Sequence, residues 1–275
     1  MGLRINTNLP SLAAQRQIGL SQRKAEGAMK ALASGNRFDN PGESAADYSI
    51  SEHLRGQIAG MKSARSNAEN AQSFIAIAEG GLNEQNNLLI RMRELSVQAA
   101  SDTYSDQERG FMDTEFQQLQ QEIDRIARTT QFGSNKILTG ESKEYEFQVG
   151  AYKGPENIIT YKSDTDTTSS ALGVDSATVS DKSDARDSLE TIDEALTKIA
   201  MARSGFGAIQ SRMDSTVNHA GVQIENLEAA RSRIGDTEIA GAVSNMYKQQ
   251  ALQQYQLAVL NEANRFPASV IKLVA

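Results

Sequence analysis

The chain is predicted to be mainly α: an elongated antiparallel helical bundle, or coiled coil, formed by both chain ends, with a small β-hairpin excursion in the middle. Three observations predict it. Apolar residues recur at alternating spacings of three and four over long tracts on both sides of the centre. Proline, which breaks helix interiors, occurs only at positions 10, 41, 155 and 267 and leaves room for very long helices. Hydrophobic content is 39%, yet aromatics make up 5% and tryptophan is absent, a composition that suits slender helices better than a thick globular core.

At the N-terminal end Ile5, Leu9 and Leu12 are spaced by four and three, and Ala14, Ile18, Ser21, Ala25, Ala28 and Leu32 continue the pattern. Beyond Pro41, Met61, Ala64, Ala68, Ala71, Ile75, Ala78, Leu82, Gln85, Leu89 and Met92 form a seam without a slip. A helix from Glu43 to Ala100 would be about 85 Å long at roughly 1.5 Å per residue. Ser105 and Glu108 fit a capping box, opening a second antiparallel helix with its stripe at Met112, Phe116, Leu119, Ile123 and Ile126.

Helical periodicity stops at Gln131, where Phe132-Gly133-Ser134-Asn135 breaks the chain direction. Tyr145–Val149 and Ile158–Tyr161 look like short strands around a turn region at 150–157. Residues 163–188 are rich in Ser, Thr and Asp and lack periodicity, so they are expected to be the most exposed and least ordered stretch. A long helix resumes at Leu189 and keeps its alternation to Ile234; Gly235-Asp236 interrupts it, and Ile239, Val243 and Met246 renew it. The far end runs Leu252, Tyr255, Val259, Phe266, Val270 and Leu273. Both ends are apolar where termini are normally polar and frayed, so another copy of the chain is the expected cover. The chain goes out and returns, which predicts termini lying side by side.

The net charge of -7 is unevenly spread. Residues 1–40 carry six basic groups against Glu26 and Asp39, and residues 246–275 carry Lys248, Arg265 and Lys272 against Glu262, which concentrates the negative charge between them. Basic ends without an aromatic-interleaved cluster or a known module argue against nucleic acid. With no cysteine, disulfides, thiolate zinc and thiol catalysis are excluded. His53 and His219 lie outside any HExxH arrangement. Asp164, Asp166, Asp175 and Asp181 lack an EF-hand pattern. Gly80-Gly81 and Gly205-Phe206-Gly207 have no preceding strand and no following GK[ST], so they mark close helix approach or bending instead of phosphate loops. No enzyme, cofactor, metal or membrane-spanning segment is expected, and there is no cleavable signal-peptide pattern.

Several motifs resemble one family in order along nearly the whole chain. They are Ile5-Asn6-Thr7-Asn8, Ser34-Gly35-Asn36-Arg37, Leu54-Arg55-Gly56-Gln57-Ile58, Ala78-Glu79-Gly80-Gly81-Leu82 and Arg91-Met92-Arg93-Glu94-Leu95, then Ser232-Arg233-Ile234-Gly235-Asp236-Thr237-Glu238-Ile239-Ala240 and Leu260-Asn261-Glu262-Ala263-Asn264. The chain resembles a bacterial flagellin, the subunit of the flagellar filament, in a short form with core domains only. It departs from the family wording at Gly42-Glu43-Ser44-Ala45-Ala46-Asp47 and at Phe38.

The resemblance implies an inner terminal coiled-coil layer from residues 1–40 and 246–275, ordered only on assembly, and an outer helical core layer from 41–245 that includes a β-hairpin region at 131–188. It implies an extracellular open helical homopolymer used for motility, joined through Ile5, Leu9, Leu12, Ile18, Leu252, Tyr255, Val259, Phe266, Val270 and Leu273. Export without a cleaved signal peptide, a flagellar export chaperone, and hook-associated and cap proteins as partners are implied likewise. Arg91, Leu95 and Glu115 match the family's patch for an animal Toll-like receptor. A hook-filament junction protein shares flagellin-like ends and is the first rival; a cytoplasmic helical adaptor or chaperone, which would stay soluble at any concentration, is the second.

Overall fold

Asn8 opens the first helix, α1 (Leu9–Ser34), by accepting the Ser11 backbone N–H on its side-chain oxygen, with Pro10 in the first turn where no donor is missed. The chain then forms α2 (Ala45–Ala99), α3 (Asp106–Thr129), β1 (Gln131–Phe132), β2 (Asn135–Lys136), β3 (Lys143–Gln148), β4 (Ile158–Ser163), α4 (Ser169–Leu172), α5 (Lys182–Gly235) and α6 (Ile239–Val274). These come from a computed structural model, which describes residues 8–38, 42, 44–140, 143–163 and 165–274, the side chains of 143, 163 and 266–274 excepted. The chain is mainly α with a small β excursion. Two compact units form, Met1–Gln57 with Asn226–Ala275, and Ile58–Glu225.

In the second unit every residue of the predicted α2 seam from Met61 to Met92 is buried. Gln85, the one polar member, donates from its amide nitrogen to the carbonyls of Ile123 at 3.0 Å and Thr167 at 3.1 Å, so a buried polar group is spent on tying three segments together. The turn into α3 carries the capping box: Ser105 accepts the Glu108 N–H, and the Glu108 carboxylate accepts the Ser105 N–H at 2.8 Å. Phe116 and Ile123 of the α3 stripe are fully buried.

Gly133, at φ +61°, permits the tight turn joining β1 and β2. β3 and β4 pair antiparallel, Tyr145 opposite Tyr161 and Phe147 opposite Ile159. One face of the hairpin is therefore apolar, while Glu144, Glu146, Thr160 and Lys162 alternate onto the other. Phe74 of α2 meets Tyr145 at 4.9 Å and Phe147 at 6.0 Å between ring centres, and Tyr161 meets Phe206 of α5 at 5.0 Å. The hairpin's apolar face is thus covered by both long helices.

The expectation for residues 163–188 is overturned. Thr167, Leu172, Val174, Val179 and Ala185 are buried, and α5 begins at Lys182, seven residues before the predicted start. Thr168 caps α4, and Gly173 at φ +86° ends it. Gln120 donates to the Val174 carbonyl, Gln117 to the Ala177 carbonyl, and Asp113 accepts from Thr178 Oγ1 and the Val179 N–H. Single apolar anchors with polar α3 partners hold this strap, and such anchors have no period to detect.

Gly80 and Gly81 differ. A Cβ on Gly81 would lie 2.7 Å from Thr130 Oγ1 and 3.0 Å from Leu138 Cδ1, whereas one on Gly80 meets nothing within 4 Å. Gly81→Ala is expected to lower stability by about 1–3 kcal/mol through overpacking, while Gly80→Ala is neutral or stabilising by up to about 1 kcal/mol. Thermal melts followed by circular dichroism check both. A Cβ on Gly205 or on Gly207 would meet nothing within 4 Å, so close approach is not their role.

In the first unit α1 and α6 run antiparallel. Asn8 donates to the Ala263 carbonyl near one end of the pair, and Thr237 Oγ1 donates to the Ala31 carbonyl near the other. Gly35 ends α1 at φ +71°, its N–H on the Ala31 carbonyl. Two of the motifs, some two hundred residues apart in sequence, then meet: Asn36 bridges Asp236, the Arg37 N–H donates to the Gly235 carbonyl at 2.7 Å, and the Thr237 N–H to the Gly35 carbonyl at 2.9 Å. α6 is a single helix across Pro267.

Candidate functional site

Which face each terminal helix turns inward decides what it leaves for others. Along α1 the inward series is Ser11, Ala14, Ile18, Ser21, Ala25, Ala28 and Leu32, mostly small or polar; Ser11, Ser21 and Ala25 are buried and the rest half-buried. Along α6 the half-buried residues include Met246, Gln249, Gln253, Gln256, Leu260 and Ala263 at spacings of three and four. Gln256 donates to Ser21 Oγ at 3.0 Å inside this seam. Three glutamines and two serines occupy positions where a self-sufficient coiled coil carries Leu, Ile or Val.

The large apolar side chains point outward. Leu9 is 60% exposed, Leu12 50%, Tyr255 73% and Val259 60%; Leu20, Leu252 and Leu257 are exposed too. On a helix at about 100° per residue, Leu9, Leu12 and Leu20 fall opposite the α1 seam, and Leu252, Tyr255 and Val259 form one stripe beside the α6 seam. Of the sequence-derived interface residues, Leu9, Leu12, Leu252, Tyr255 and Val259 are thus on open surface and Ile18 is half-buried in the seam. Ile5 lies outside the described residues, as do the side chains of Phe266, Val270 and Leu273. The inverted seam was missed by sequence reasoning, although Gln249, Gln253, Gln256 and Leu260 repeat at spacings of four, three and four.

Arg91 and Glu115 come together across α2 and α3. Arg91 Nη2 lies 2.8 Å from Glu115 Oε1, and Nη1 lies 3.0 Å from Glu94 Oε2. Hydrogen bonding to Glu115, then to Glu94, raises the Arg91 pKa above its usual value. Leu95 does not join this surface: it is 2% exposed and belongs to the core with Leu89, Met92 and Ala99. Helix α2 is packed on more than one side, so its buried sector is wider than a two-position seam and takes in position 95.

A second ion pair joins α2 to α5, Arg93 Nε to Asp193 Oδ1 at 2.7 Å, and a third joins Lys182 to Asp102 at 2.6 Å. Hydrogen bonding to Arg93 holds the Asp193 pKa below 3.8, and hydrogen bonding to Lys182 does the same for Asp102. Folding lowers both values, so their contribution is fully present above the unfolded pKa and is lost as pH falls through the depressed folded one, a window below pH 3.8. In an NMR titration Asp193 is expected to protonate below 3.8, and Arg93→Gln to return its midpoint upward; an unmoved midpoint contradicts the pairing.

His53 and His219 are exposed on helix surfaces. Among the described residues no group of three or more His, Cys, Asp or Glu could hold a metal ion, and no helix is long and apolar enough to cross a membrane.

Residues 5–143 match the bacterial flagellin N-terminal helical region and residues 189–274 the bacterial flagellin C-terminal helical region. A flagellin of Halalkalibacterium halodurans is 38% identical over 272 residues, covering 98% of this chain and 99% of that one. The flagellar filament 33 kDa core protein of Treponema phagedenis is 36% identical over 286 residues, with 98% and 99% covered. Among solved structures, Bacillus cereus flagellin matches with a TM-score of 0.51 at 30% identity, covering 60% of this chain and 94% of that one. A putative flagellar hook-associated protein from Vibrio parahaemolyticus matches with a TM-score of 0.56 at 15% identity, covering 71% and 98%, a likeness of fold alone.

Proposed function

The chain belongs to the bacterial flagellin family and is a structural subunit of the flagellar filament; from that premise we propose that the outward apolar faces of α1 and α6 are where its copies join. The observation that carries this is the inverted seam: small and polar residues inside the pair, Leu9, Leu12, Leu252, Tyr255 and Val259 outside. Burying each large side chain stabilises a contact by about 1.5–3 kcal/mol, and a head-to-tail contact that does not close gives an open helical polymer.

Residues 1–40 and 246–275 make the inner layer, and 41–245 the outer one. Ordering the ends costs about 1–2 kcal/mol per residue of backbone entropy, which the small, polar internal seam offsets poorly, so the ends order fully only among neighbouring copies. Ile5, Ile18, Phe266, Val270 and Leu273 complete the interface. The subunit works without catalysis and reaches the extracellular filament without a cleaved signal peptide. An export chaperone holds the apolar α6 segment before assembly, and cap and hook-associated proteins meet the same surfaces at the filament's ends. Arg91 and Glu115 supply the exposed part of a Toll-like receptor patch, Leu95 acting from the core. A reporter-cell assay with purified monomer tests this last point, and silence from folded monomer contradicts it.

Negative-stain microscopy of purified monomer seeded with filament fragments, beside a version lacking residues 253–275, tests the main reading. Filaments are expected from the full chain and none from the shortened one. Equal growth from both overturns the role given to α6. A junction protein, the rival use of such ends, adds a short layer and stops, so unlimited elongation separates the two.

A further inference from the structure

Pro267 sits inside α6 and has no N–H to give, so the carbonyl four residues earlier, that of Ala263, is deprived of its partner in the helix. That carbonyl receives the Asn8 side-chain amide nitrogen at 2.8 Å. The same amide accepts the Ser11 N–H on its oxygen at 3.1 Å and so caps α1.

The geometry points to Asn8 as a register lock between the two chain ends, with Pro267 creating the acceptor that it fills. One amide satisfies an orphan donor at the start of α1 and an orphan acceptor in α6, and the two bonds are made together only when residue 8 stands opposite residue 263. A slip of one residue along either helix leaves the Ala263 carbonyl unpaired. The polar seam between Ser21 and Gln256 discriminates register only weakly, because a flexible glutamine reaches neighbouring positions, so the two ends of the pair carry the specification, the Gly35–Thr237 and Arg37–Gly235 backbone bonds at one and Asn8 at the other. The proline, unfavourable by propensity, thereby gains a purpose: it makes one carbonyl of α6 unlike the others.

This inference rests on the self-association reading, since the paired ends matter most in the polymer, and a double-mutant cycle separates the two. Asn8→Ser keeps a good capping oxygen but is too short to carry a donor across to the Ala263 carbonyl. Pro267→Ala restores the backbone N–H and supplies Ala263 from within the helix. Critical concentrations for seeded elongation are measured for the unaltered chain, N8S, P267A and the pair. N8S is expected to raise the critical concentration about three- to tenfold with Pro267 in place and less than about twofold in the P267A background. N8A, which also strips the cap, raises it in both backgrounds. Equal N8S factors in the two backgrounds overturn the lock while leaving the filament role intact. Failure of the unaltered chain to elongate counts against the filament role instead, and with it against the lock that rests on that role.

Discussion

Replacing Leu252, Tyr255 and Val259 together by serine is expected to stop filament growth at concentrations where the unaltered chain elongates, raising the critical concentration by at least about a thousandfold. The three form one outward stripe beside the polar seam of α6. Even at the low end of about 1.5 kcal/mol per buried side chain, three losses per subunit exceed the roughly 4 kcal/mol that a thousandfold change represents. Because none of them lies in the α1–α6 seam, helix content and the melting of the Ile58–Glu225 unit should not change. Gln254→Ser, an exposed polar position on the same helix, should leave growth within about twofold. Sedimentation of seeded reactions reads all three chains, and normal growth of the triple variant removes the basis for the interface.

The second large effect is on stability. Arg109→Met is expected to cost about 2–4 kcal/mol in denaturant unfolding. Arg109 is buried and donates from Nε to the Ala99 carbonyl at 2.9 Å and from Nη2 to the Ser101 carbonyl at 3.0 Å. The Ala99 carbonyl ends α2, where the helix dipole is negative, and the Ser101 carbonyl lies in the turn beyond it, so a buried cation there neutralises the helix end and closes the turn into α3. Its partner Asp106, at 2.6 Å, is 90% exposed on its side chain and contributes little against solvent. Asp106→Ala should therefore cost under about 1 kcal/mol, and Arg109→Lys, with no fork to span two carbonyls, should fall between. Equal losses from D106A and R109M would move the role from the carbonyls to the ion pair.

Long-range order was legible wherever one partner face was buried at a fixed period. The ten-residue α2 seam, the α3 cap at Ser105 and the hairpin alternation of Tyr145 and Phe147 opposite Ile159 and Tyr161 all follow from local chemistry. The strap at 163–188 was not legible, because Leu172, Val174 and Val179 are lone anchors, and the α3 side chains that bond the strap at Val174, Ala177 and Val179, namely Gln120, Gln117 and Asp113, sit fifty or more residues away. Leu95 was misplaced for a related reason: a helix flanked on several sides buries a sector that pairwise periodicity understates. In α6 two stripes compete. The apolar one through Leu252, Tyr255 and Val259 dominates any hydrophobicity reading, yet the glutamine one faces α1, so the sequence shows the outer surface more clearly than the inner seam. The helical end through Phe266, Val270 and Leu273 was legible despite Pro267, and α6 runs across that proline as one helix.

On the proposed interface, sister subunits cover the exposed apolar faces of the terminal helices. Hydroxyl-radical footprinting of the free chain and of the filament reads this cover at Leu9, Leu12, Leu252, Tyr255 and Val259. Strong labelling in the free chain and protection of about tenfold or more at all five in the filament is the expected result. Undiminished labelling of Tyr255 and Val259 in intact filaments would contradict it.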